Sequence, residues 1–245
     1  MSGKYFTNEM RKGDVSQRTV FDMKPVLYQP NEAKTNDVFY NVYRNLEIIG
    51  GKLRYDITEI PQRKIGVEFA KTFGHYHKGI YPELYEVLDG RAYFLLQRYG
   101  NSAHPAGGDP AEIKEAYIVE ASAGAKAVMP PGFGHLSINI GNVELVLGNW
   151  IGLAEYDYET IKKLRGGCYY VLDRGKNMEF EQNPNYKSVP KLKKIKLRDL
   201  PEFGIKNDKE HPILDLKNEP QKLEWLVNPE KYLNLLTIEK LYKEI

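Results

Sequence analysis

The chain has 245 residues, a formal net charge of +2 and 42% apolar residues, values that exclude a global bias toward nucleic acid or membrane and fit one main domain with a small appendage. Its lone cysteine, Cys168, excludes an intramolecular disulfide and fits a reducing compartment. Met1 to Lys24 is polar and mixed in charge, and no later stretch is apolar for long enough to span a bilayer, so the expectation is a cytoplasmic protein.

Residues 1–36 read as an N-terminal arm. From Asp37 to Cys168 short runs rich in Val, Ile, Tyr and Phe alternate with Gly, Pro and Asn, the pattern of an all-β barrel or sandwich. Asp89-Gly90 stands between two such runs and predicts a hairpin. The segment Gly100 to Pro110 predicts a surface loop, Ile140 to Val143 a second tight turn, and Tyr156 to Leu164 a short helix after the barrel. The eighteen tyrosines suit both strand structure and hydrogen bonding to a polyhydroxylated ligand.

Composition changes after Tyr186, which places a boundary between a barrel at 37–186 and an extension at 187–245. The basic run Lys187 to Arg198 lacks interleaved aromatics and is followed by acidic residues, so it reads as a solvated surface, not a nucleic-acid patch. Asn228-Pro229 resembles a helix start, and Leu235, Ile238, Tyr242 and Ile245 follow at spacings of three or four, which predicts a terminal amphipathic helix packed on the barrel.

Three of the five histidines carry the chemistry. His75 and His77 are two apart, so on a strand their side chains share a face. Glu83 and His135 can complete a shell of three imidazoles and one carboxylate, which suits a borderline divalent ion such as iron, manganese, nickel or zinc. His104 and His211 read as ordinary loop and tail residues.

The spacing of Gly124, Pro130, Gly132, His135 and Asn139 matches the second motif of the cupin superfamily, and His75, His77, Glu83 and Gly90 match its first with a lengthened gap before the glutamate and without the usual leading Gly. Within that superfamily, the string from Thr72 to Tyr85, with Tyr40 to Tyr43, Leu53 to Thr58 and Tyr158 to Ile161, resembles the cupin-type glucose-6-phosphate isomerases found chiefly in archaea. The resemblance covers roughly residues 18–186. It implies a cupin (double-stranded β-helix, jelly-roll) barrel, a homodimer, and one divalent ion per subunit, commonly Fe2+, held by His75, His77, Glu83 and His135.

The implied reaction is the interconversion of glucose 6-phosphate and fructose 6-phosphate in glycolysis and gluconeogenesis. Glu83 and Tyr85 are the catalytic candidates, with Glu83 a ligand first. Tyr40, Thr58, Thr72, Gly74, Tyr85 and Tyr158 are the substrate-binding candidates, forming a neutral hydroxyl and amide cradle for the phosphate. Two positions depart from the family pattern: Trp150 stands where a Tyr is usual, and Tyr156 where a His is usual. The competing readings are a mannose 6-phosphate isomerase, separable by substrate competition; an iron cupin dioxygenase, which would consume oxygen; and a non-catalytic sugar-binding cupin, which would bind without turnover.

Overall fold

The computed structural model describes residues 7, 9–100, 107–175 and 177–245, with Lys12 described by its backbone alone. It is an all-β cupin fold whose strands fall mainly into two sheets. Strands β1 (Asp14–Thr19), β2 (Val38–Ile49) and β3 (Leu53–Ile60) are joined by a short helix α1 (Val20–Met23) and by turns. Small strands β4 (Lys64–Ile65), β5 (Glu68–Phe69) and β6 (Tyr76–His77) precede β7 (Glu83–Asp89) and β8 (Arg91–Arg98). Then come β9 (Glu115–Ser122), β10 (Lys126–Met129), β11 (Gly134–Asn139) and β12 (Leu145–Gly152).

One sheet has the order β1-β2-β3-β12-β7-β10; the other begins β11-β8-β9. Their inner faces meet: the rings of Tyr85 on β7 and Phe94 on β8 lie 5.6 Å apart between centroids. Every residue of β12 is buried, because its inner face lines the interior while the C-terminal extension covers its outer face.

Asp89-Gly90 does not close a hairpin. β7 pairs with β10 and β12, whereas β8 pairs with β9 and β11, so the chain passes at Gly90 from one sheet to the other. A single linking residue is too short for a two-residue hairpin turn. Gly90 has φ +83°, and a Cβ there would lie 2.8 Å from the carbonyl oxygen of Glu144. The turn at 140–143 is likewise a crossing between sheets. Asn139 fastens it, donating to the carbonyls of Ile60 and Val143, each at 2.9 Å, and accepting from the Gly141 amide.

The helix after the barrel is present as α2 (Glu159–Lys163), preceded by β13 (Tyr156–Asp157), and Asp157 accepts from both the amide and the hydroxyl of Thr160. Beyond it are β14 (Tyr169–Asp173), β15 (Met178–Gln182) and β16 (Lys193–Leu197), the last formed by the basic run. The loop expected at 100–110 lies in large part outside the described residues, as does His104.

The terminal amphipathic helix is not formed. The segment contains a 3-10 turn at Pro229–Lys231, and only Ile238–Leu241 is helical near the end; with Glu224–Val227 before it, these give helices α3 and α4 in chain order, followed by β17 (Tyr242–Glu244). Asn228 makes no cap, and Thr237 is extended. The chain end instead pairs antiparallel with β16, which itself runs parallel to β9, so a sheet edge supplies the backbone partners a helix would have had to make internally. The Tyr242 hydroxyl donates to the carbonyl of Val128 at 2.6 Å, tying the end of the chain to the barrel.

Among the described residues, no helix is long and apolar enough to cross a membrane.

Candidate metal centre and cavity

His75 and His135 stand opposite one another. The amide of His75 donates to the carbonyl of His135 at 3.2 Å and the amide of His135 donates back at 3.0 Å, so both side chains leave the same face. His77 follows two residues later on that face, and Glu83 opens β7 beside them. The Nε2 atoms of His75 and His77 are 3.1 Å apart, and Glu83 Oε2 lies 3.1 Å from His135 Nε2 and 3.3 Å from His77 Nε2. All four donor atoms fall within 4.8 Å of one another.

Lone-pair donors so close need a shared cation or a proton between them, and this set of three imidazoles and one carboxylate fits a borderline divalent ion. The neighbouring groups suit that occupant. His77 Nδ1 lies 2.8 Å from the carbonyl of Tyr81, which can only accept, so Nδ1 bears the hydrogen and the Nε2 lone pair faces the cluster. Asn149 Nδ2 donates to Glu83 Oε1 at 2.7 Å, leaving Oε2 for the cluster. The phenol of Tyr85 also hydrogen-bonds to Glu83.

Burial, then the fields of His135 and His77, hold the His75 imidazole well below its ordinary pKa. Burial alone would raise the Glu83 carboxyl, but the imidazoles of His135 and His77 beside it outweigh that and hold the group well below the carboxylate range. Both shifts are depressions, so the unfolded chain binds more protons than the folded one as pH falls, first through the ordinary His value of 6.5 and then through the ordinary Glu value of 4.5. Thermal melting of metal-free protein should therefore be nearly flat from pH 8 to 7 and fall steadily from pH 6.5 toward 4. A melting temperature that rises on acidification would contradict this protonation pattern.

His75, Glu83 and His135 of the cluster form part of the wall of a cavity of about 580 Å³, and all six residues expected to bind substrate (Tyr40, Thr58, Thr72, Gly74, Tyr85 and Tyr158) line it. Thr72 Oγ1 accepts from the Ser137 amide at 3.0 Å, and the Tyr40 hydroxyl accepts from the Phe73 amide at 3.4 Å, which orients both.

The cavity lining also carries charge, beyond the hydroxyls and amide expected from the sequence. Arg18, on β1 opposite Tyr40, lines the cavity with its guanidinium carbon 5.3 Å from the Phe73 ring centroid and 5.4 Å from that of Tyr158. Arg44, Arg54, Asp56 and Asn149 also line it and were not foreseen. One signal was legible: Arg54, Asp56 and Thr58 alternate along β3, so three polar side chains share the strand's inner face.

The two departures from the family pattern separate. Tyr156 lies in the cavity wall, its ring centroid 4.3 Å from that of His75. Trp150 does not line the cavity; strand alternation sends Asn149 inward and Trp150 outward, where it is fully buried and its Nε1 donates to the carbonyl of Ile213 at 2.7 Å. It therefore anchors the extension.

Residues 17–188 match the family model for glucose-6-phosphate isomerase. Similar curated proteins include the glucose-6-phosphate isomerases of Thermococcus gammatolerans, 31% identical over 62% of this chain and 75% of that protein, and of Pyrococcus abyssi, 30% identical over 63% and 76%. Among solved structures, oxalate decarboxylase from Lactobacillus farciminis overlaps 49% of this chain and 30% of its own at 18% identity, with a TM-score of 0.35.

Proposed function

Given that this chain belongs to the glucose-6-phosphate isomerase family, we propose that its isomerase activity interconverts glucose 6-phosphate and fructose 6-phosphate and depends on a divalent ion, iron by first choice, held by His75, His77, Glu83 and His135. The observation that carries this reading is the convergence of those four donors, three of them (His75, Glu83 and His135) in the wall of a cavity that Thr58, Thr72 and Tyr158 also line. When bound, such an ion supplies charge stabilisation to the sugar oxygens as hydrogen moves between neighbouring carbons.

The remaining work falls to this chain's own residues. Tyr40, Thr58, Thr72, Gly74 and Tyr158 hold the phosphate, with Arg18 adding a guanidinium to match its charge. Asn149 and Tyr85 fix the Glu83 carboxylate through hydrogen bonds, so that any proton it accepts or returns passes at a defined position. Tyr156 occupies the wall where the family usually has a His; burial, the largest cause, raises its phenol pKa, so it stays protonated at neutral pH and acts as a hydrogen-bonding group.

The test is a coupled assay for glucose 6-phosphate formed from fructose 6-phosphate, on protein as purified, after chelation, and after addition of iron, manganese, nickel or zinc. Loss on chelation and recovery on metal addition are expected; folded protein without turnover under any metal would sink the reading. Mannose 6-phosphate in competition and an oxygen electrode separate the neighbouring activities. Arg18→Gln should raise KM roughly tenfold while changing kcat little, because it removes a charge-assisted contact to a part of the substrate that does not react. An unchanged KM would take Arg18 out of the phosphate site.

A further inference from the structure

The cavity carries two further guanidiniums, those of Arg44 and Arg54, that the proposed reaction leaves unassigned. Asp56 is buried and its two oxygens are already engaged: Oδ1 accepts from the Asn45 amide at 2.9 Å, and Oδ2 accepts from Arg54 Nε at 3.0 Å and from Arg44 Nη1 at 3.3 Å. Two guanidiniums thus share one carboxylate, so Arg44, Arg54 and Asp56 together carry one formal positive charge. Arg54 Nη2 donates to the hydroxyl of Tyr156, and because a guanidinium can only donate, the phenol is the acceptor there and its own hydrogen is directed elsewhere. Arg44 Nε donates to Ser16 Oγ at 3.2 Å, and Arg44 also bonds to Tyr158. Each guanidinium has five N–H groups, so both retain donors beyond these bonds. What Arg44, Arg54 and Tyr156 can offer a ligand is therefore donors with net positive charge, which is how an anion is recognised.

Arg44, through its bond to Tyr158, borders the first phosphate end, and Arg54 stands away from it along β3. Arg54 and Thr58 share the inner face of β3 four residues apart, about 13 Å along a strand rising about 3.3 Å per residue. We propose that Arg44, Arg54 and the Tyr156 hydroxyl form a second anion subsite, so that the cavity accepts a sugar bearing a second phosphate at the end remote from the first. This rests on the reading that the end containing Thr58, Thr72 and Arg18 takes one phosphate.

The experiment is calorimetric titration of the full chain with fructose 6-phosphate, fructose 1,6-bisphosphate and inorganic phosphate. The bisphosphate should bind about tenfold more tightly than the monophosphate, and Arg44→Gln and Arg54→Gln should each bring that ratio close to one, weakening the bisphosphate more than the monophosphate. Equal or weaker binding of the bisphosphate to the unaltered protein overturns the subsite, and that comparison decides even if neither variant folds. Variants that lose both ligands by the same factor also overturn it, because the cluster would then serve only to support the wall. Absent turnover with a retained bisphosphate preference would remove the proposed reaction and keep the subsite; turnover without the preference would do the reverse.

Discussion

His135→Ala is expected to lower bound metal and turnover together, each by at least about a hundredfold, and added metal should not restore activity. The imidazole contributes one of four converging donors, and its loss leaves His75, His77 and Glu83 with an open side. The fold should survive, because the pairing of β11 with β8 and the bridge to His75 are made by backbone atoms. Elemental analysis of purified protein and the coupled assay check the two losses separately. Asn149→Ala provides a graded comparison: it spares all four donors but frees Glu83 Oε1, so a loss of about ten- to a hundredfold is expected. If His135→Ala keeps both its metal and its turnover, the ligand assignment is wrong.

The second large effect concerns stability. Glu86 and Lys126 form a buried ion pair at 3.2 Å on the outer side of the strand that carries Glu83. The pair also holds the extension: Glu86 Oε2 accepts from the Ile213 amide at 2.8 Å, and Lys126 Nζ donates to the carbonyls of Gly124 and Asp208. Glu86→Leu would leave the ammonium buried without its counter-charge and the Ile213 amide without its acceptor. The expected cost is about 3–5 kcal/mol, a fall in melting temperature on the order of 10 °C for a chain of this size. Glu86→Leu combined with Lys126→Met should recover much of that loss, since no unpaired charge remains. Hydrogen exchange should show the faster opening concentrated at residues 207–216. A single substitution with no measurable effect on melting would show that the extension is held by apolar contacts alone.

Much of the candidate metal centre was legible because it depends on short-range geometry. The two-residue step from His75 to His77 fixes a shared face on any strand, and the glycine and proline spacing before His135 belongs to a turn whose backbone few other residues can adopt, with Gly132 at φ +77°. The misreadings have equally local causes. Asp-Gly between two β runs has the composition of a hairpin, but strand pairing decided that β7 and β8 enter different sheets. The terminal segment has apolar residues at helical spacing, yet the free edge of β16 captured its end as a strand.

By itself, the sequence determined the β-rich class and the four candidate ligands, which follow from periodicity and motif spacing, while the hydroxyl-bearing side chains around them came from the resemblance to the family. Only the tertiary structure decided that Arg18 from the first strand reaches the cavity beside Tyr40 and Tyr158, that Arg44 and Arg54 share Asp56 across a bulge between β2 and β3, and that Trp150 faces the extension instead of the cavity. The reason is that charge placement in a cavity depends on strand register and on which face is covered. Both are set by pairing between residues far apart in the chain, and composition carries no record of that pairing.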